Sequence, residues 1–277
     1  MAVSYLNLFI PAMNFRKCNP LYGYRWFSEG IKLFIRQPWP WLALVGMTTL
    51  VLLVMSLLPV LGLVGVFLVF PGIAAGFMLA SHDELAGQPI SFNHLSAGFK
   101  TAPRPLLAVG GLAFAGVFLG MLVFAVGWRE EFTALLELAR SQATDQAALL
   151  LAMRELLIPS LLMLSVLLLM VMATWFAPAL VIFKQTAPRD ALRLSFKALL
   201  KNIWPFLIYA VLMLLLDVVS SFALRTLVSA VQAIGGDQVA SGVAMLISFP
   251  LLCTFLSITF ASAYVSYVDV FEVDKKI

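Results

Sequence analysis

The chain has 277 residues, 62% of them hydrophobic and only 12% charged, with a net charge of +4. A soluble domain of average usage carries about 25% charged residues, so a mean hydropathy of +1.00 excludes a water-soluble protein, and the small positive charge is no sign of nucleic-acid binding. The two cysteines, Cys18 and Cys253, lack CxxC or Cys/His spacing, which excludes a disulfide framework and a cysteine-based metal site.

Residues 1–19 mix polar and apolar types, with Arg16 and Lys17 after the apolar stretch, so no cleavable leader is predicted. Asn19-Pro20 then opens an amphipathic helix. Phe27, Ile31, Phe34 and Ile35 form its apolar face, and Arg25, Glu29, Lys32 and Arg36 its polar face, with Glu29 able to pair with Arg25 and Lys32. Six apolar runs follow, at about 41–60, 61–81, 105–127, 159–184, 205–226 and 240–268. Each is close to the roughly 20 residues that cross a bilayer core. Only a tight turn, Pro59 to Gly62, separates the first two. Residues 128–158, between the third and fourth runs, are predicted to form an amphipathic helical insertion. Before the fifth run, Arg189, Arg193, Lys197 and Lys201 recur every four residues opposite Leu192, Phe196, Leu199 and Leu200. Such a helix is expected to lie in the membrane interface, its basic face against anionic lipid headgroups. Trp39, Trp41 and Trp204 are expected at headgroup depth.

Lys and Arg are sorted. Fourteen of the eighteen lie in the N-terminal segment, the 82–104 loop, residues 184–204 and the C-terminal tail; the other four are Arg129, Arg140, Arg154 and Arg225. This bias predicts a multi-pass protein of the bacterial inner membrane with both termini in the cytoplasm.

One phrase recurs. Residues 30–42, beginning Gly30-Ile31-Lys32, align without gaps on residues 195–207, beginning Ser195-Phe196-Lys197, matching at Lys, Trp, Pro and Leu; a weaker copy begins at Phe99-Lys100. The second span of each unit carries a proline, Pro71, Pro178 or Pro250, each predicted to kink its helix because proline removes one backbone hydrogen bond. The expected fold is an all-α integral membrane protein: six transmembrane helices as three parallel two-helix repeats, each preceded by a cytoplasmic amphipathic helix. The units are about 25–90, 91–184 and 185–272, after an N-terminal segment 1–24 and before a tail 273–277. Parallel repeats exclude the inverted-repeat transporter plan.

Trp175-Phe176-Ala177-Pro178-Ala179-Leu180, then Ala191, Ser195, Lys201-Asn202 and Pro205-Phe206-Leu207-Ile208-Tyr209, and Tyr264 to Phe271, resemble a family of uncharacterised proteobacterial six-span inner-membrane proteins. With Trp26, Gly30 and Pro38, the resemblance covers about residues 20–272. It implies six spans and cytoplasmic termini, and no activity. Mitochondrial carriers share the three-unit layout but carry an acidic residue after the proline of each odd helix. Here Pro40, Pro105 and Pro205 are followed by apolar residues, which excludes them.

Asp217 is the only acid placed inside a span, about 18 Å beyond Pro205. Ser220 and Ser221 lie one turn on and Arg225 two turns on. Two roles are open to this set: a paired or protonated aspartate that glues helices together, or a proton or cation site. The serines and threonines of the last span, and Gly72/Gly76 and Gly116/Gly120, read as packing features, within one chain or between two. His82, Asp83, Glu84 and His94 lack metal spacing and read as a solvated turn, with Ser91 as a helix cap. There is no Walker A, GxSxG or HExxH motif. The expectation is a non-enzymatic protein without cofactor, acting as a scaffold, assembly factor or accessory subunit of a membrane complex. Its expected partners are phospholipids and other inner-membrane proteins or a second copy. The alternative is a small transporter or lipid-handling protein using Asp217 and the kinked helices.

Overall fold

A computed structural model describes residues 15–140 and 146–272. The extreme ends of the chain and the centre of the insertion lie outside the described residues. Among the described residues there are eleven helices and no strand. They are α1 (Tyr22–Arg36), α2 (Pro38–Ser56), α3 (Leu61–Leu85), α4 (Asn93–Thr101), α5 (Pro103–Gly127), α6 (Arg129–Arg140), α7 (Gln146–Glu155), α8 (Leu157–Thr174), α9 (Ala177–Lys184), α10 (Pro188–Lys201) and α11 (Ile203–Val270). Five stretches are long and apolar enough to cross a membrane: α2, α3, α5, α8 with α9, and α11.

The 68-residue α11 cannot be straight. From residue 206 to residue 269 a straight helix would rise roughly 95 Å, yet the Trp26 ring lies 4.9 Å from the Phe206 ring and bonds Asp269. The chain turns back at Gly236, whose φ of 77° and ψ of 178° are open to glycine and strained for other residues. Two arms result, 203–235 and 237–270.

Each short helix meets its long helix at one non-helical residue. Gln37 (φ −137°, ψ 61°) joins α1 to α2, and Ala102 (φ −148°, ψ 62°) joins α4 to α5. Asn202 (φ −110°, ψ 28°) joins α10 to α11. Pro38 and Pro103 explain the first two, since the residue before proline is pushed out of the helical region and proline at the first helical position loses no bond. Packing follows one rule. α4 lies on α3, α10 on α8 and α9, and α1 on α11. A small residue makes each approach possible: a Cβ on Gly98 would strike the Gly72 carbonyl, one on Gly30 would strike Ser262, and the Ser195 hydroxyl donates to Met172 O at 2.8 Å.

This packing moves the buried face of α1. Gly23, Trp26, Gly30 and Leu33 point inward, while Phe27, Ile31 and Phe34 are half-buried and Ile35 is exposed. The face chosen by hydrophobicity is displaced because small residues, not large ones, let α1 approach α11. Likewise Trp41 is fully buried, whereas Trp39 and Trp204 are exposed. On α10, Ala191, Ser195, Ala198 and Leu199 face inward, Leu192 and Phe196 are half-buried, and Leu200 is exposed. Of the three span prolines, Pro71 and Pro250 lie inside continuous helices, and only at Pro178 is the helix interrupted, between Thr174 and Ala177. The glycine pairs pack within the chain, Gly72 and Gly76 toward α4, and Gly116 and Gly120 toward Met170 and Val166 of α8. The described parts of the insertion are helices α6 and α7.

Candidate functional site

Asp217 is exposed on the first arm of α11, Ser220 and Ser221 are half-buried, and Arg225 is exposed. Among the described residues no hydrogen bond or ion pair links the four. The predicted intramembrane site is therefore not assembled, because these side chains line no shared interior.

Buried ionisable groups gather instead at the end that carries α1, α4 and α10. Asp269, in the last turn of α11, is 1% exposed. A carboxylate there faces the negative end of the helix dipole, so it needs outside donors. Trp26 Nε1 donates to its Oδ2 at 3.1 Å, and the Arg25 and Arg16 guanidinium groups lie 3.2 and 3.6 Å from its Oδ1. Arg25 thus pairs with Asp269, while Glu29 pairs with Lys32 at 2.8 Å.

The segment before α1 is strapped into the same place. The Arg16 N–H donates to Val270 O at 3.0 Å. The fully buried Asn202 accepts from the Cys18 N–H at 2.7 Å and donates to Arg16 O at 3.0 Å. Burial pushes the Cys18 thiol up. Lys201 donates to Phe15 O at 3.1 Å and stands over the Phe15 ring, so of the four predicted lipid-contacting cations it alone is tied inward. Asn19 opens α1 through its Oδ1, which accepts from the Leu21 N–H at 3.0 Å.

A second pair repeats the chemistry. Glu84, in the last turn of α3, is buried and accepts from Trp41 Nε1 at 3.0 Å. Beside it, His82 Nδ1 lies 2.7 Å from Tyr264 OH, and His94 Nε2 lies 3.1 Å from Asp83. The 82–94 turn is thus partly interior. Ser91 meets His94 Nδ1 through its main chain, N–H at 3.1 Å and carbonyl oxygen at 2.9 Å. Among the described residues no group of three or more His, Cys, Asp or Glu could hold a metal ion. The arrangement rigidifies: polar contacts join the segment before α1, the end of α3 and the last turn of α11. Sequence reasoning missed Asp269 because its partners lie 243 or more residues away. The available signal was the polar stripe Ser262, Ser266, Asp269 at helical spacing along one face of α11.

No protein-family profile matches the chain, and no solved structure matches it. It is 31% identical over 270 residues to a protein of Burkholderia thailandensis described as a probable inner membrane protein, an alignment covering 91% of this chain and 92% of that one.

Proposed function

The chain belongs to the same family as this probable inner membrane protein, and from that premise we propose that it is a non-enzymatic scaffold or accessory subunit, working by contact with other inner-membrane proteins or a second copy. In this reading the two arms of α11 cross separately. The fold then has six spans in three parallel units, each short helix resting on the second helix of the preceding unit in a closed ring. The end bearing the short helices faces the cytoplasm, as its Lys and Arg content favours.

The observation that carries the proposal is the contrast within the fold. Buried polar contacts gather at one end, while toward the other the apolar arms of α11 are largely exposed. An 18-residue apolar stretch of α11 is only 11% buried, against 50% for α3. The arms, of 33 and 34 residues, are each about 50 Å long, well beyond the roughly 30 Å of a bilayer core. A transporter would need a polar route through the bundle, and Asp217 lies outside it.

Chemical cross-linking in intact membranes, then purification in mild detergent and mass spectrometry, tests this. Cross-links from the arms to another inner-membrane protein, or between copies, are the expected result. A bare monomer with no cross-linked partner overturns the proposal.

A further inference from the structure

The basic stripe of α10 is not uniform. Lys201 is held by Phe15, whereas Arg189, Arg193 and Lys197 are exposed and form no ion pair among the described residues. Setting the three repeated phrases side by side, Lys197 corresponds to Lys32 and Lys100, a cation in every unit. Arg193 corresponds to Ser28 and Ser96, and Arg189 to Tyr24 and Phe92. The two arginines therefore belong to the third unit alone and are not demanded by the shared architecture.

Arg193 also borders a cavity. A groove of about 330 Å³ runs between α5, α8 and α10, lined by Ala113, Leu169, Ala173, Leu192 and Phe196, with Arg193 at the α10 end. Past Leu169 the seam between α5 and α8 continues as a second apolar groove of about 450 Å³ that reaches Pro159 and Trp128. From Ala173 to Pro159 this is roughly 21 Å along α8. Both helices are long and apolar enough to cross a membrane, so the groove opens to hydrocarbon while its cation sits at headgroup level. An apolar slot bordered at its α10 end by Arg193, a cation with no ion pair among the described residues, matches a molecule with an acyl chain at one end and a phosphate at the other.

We propose that this groove is a specific site for one anionic glycerophospholipid, its acyl chain along Ala113, Leu169 and Ala173 and its headgroup phosphate on Arg193, with Arg189 and Lys197 flanking. The phosphate recognised is a lipid's, because the larger part of the lining is apolar. The site rests on the chain sitting in a bilayer with its short helices at one surface, and is independent of any protein partner.

The test is native mass spectrometry of the detergent-purified full chain titrated with phosphatidylglycerol or phosphatidylcholine, read on the monomer so that absence of a protein partner does not affect it. The expected result is one phosphatidylglycerol retained per chain in preference to phosphatidylcholine. Arg193→Gln weakens it about fivefold, the worth of one basic group near an anionic headgroup. Ala173→Trp, which fills the slot and leaves every cation in place, weakens both lipids. Leu169→Trp blocks the same groove from a position 45% exposed, so a folding failure of Ala173→Trp leaves the test intact. Equal retention of the two lipids overturns the proposal. So does phosphatidylglycerol binding that survives Leu169→Trp, which would mark diffuse surface attraction, or displacement of the lipid by equimolar inorganic phosphate.

Discussion

The two ends of this bundle follow different physics. At the short-helix end, carboxylates, amides and backbone groups are buried, and three of the buried contacts tie together segments far apart in sequence: Trp26 to Asp269, Cys18 to Asn202, Trp41 to Glu84. Along the spans toward the far end most side chains are apolar and many are exposed, including Leu57, Val60 and Leu61 at the turn between α2 and α3 and long stretches of α8 and α11. Apolar helices in lipid gain little from touching one another, since acyl chains are as apolar as leucine, and association there depends on close packing and polar bonds. Buried polar groups, by contrast, must be paired or the fold is penalised. The comparison teaches that this molecule is held together from one end.

The largest expected effect comes from removing the central carboxylate. Asp269→Ala leaves Arg16, Arg25 and Trp26 without their common acceptor and should destabilise by about 3–5 kcal/mol, as for other broken buried pairs. Unfolding followed by circular dichroism in detergent reads this. Next is Gly98→Val, whose side chain would meet the Gly72 carbonyl and Ala75. It should cost about 1–3 kcal/mol or prevent folding, while Gly242→Val, at a position with open space around it, should leave thermal stability unchanged. Trp41→Phe keeps an aromatic ring, smaller than the indole, and loses the donor to Glu84, a loss of about 1.5–3 kcal/mol for a bond to a charged acceptor, measured in the same assay. The smallest effect is expected at Asp217→Asn, within about 0.5 kcal/mol. A large loss there would erase the distinction between the two ends.

Much of the layout was legible along the chain, for local reasons. The proline-marked entries Pro38 and Pro103 give helix starts because proline's missing N–H costs nothing at the first helical position. The pairs Gly72/Gly76 and Gly116/Gly120 announced close helix contacts, and the structure assigns them to neighbours within the chain. The inward faces of α1 and α10 were not legible. Periodicity separates polar from apolar sides, but Gly23, Gly30 and Ser195 are buried because they are small, a property that matters only once a partner helix is near. The candidate site failed for the same reason. Depth along a helix can be counted from Pro205 to Asp217, but which way the side chain points is set by neighbouring helices.

By itself, then, the sequence determined composition-level and short-range matters: helices apolar enough for a membrane, where they begin, and the sorting of charge along them. Only the tertiary structure decided that α11 folds back at Gly236, that Asp269 and Glu84 are buried acids and Asp217 is not, and that Lys201 is tied inward while Arg193, with no ion pair among the described residues, borders a groove. The physical reason is range. Propensity, capping and hydrophobic period act over a few residues, whereas burial of a charge is tolerated only where donors from distant segments converge.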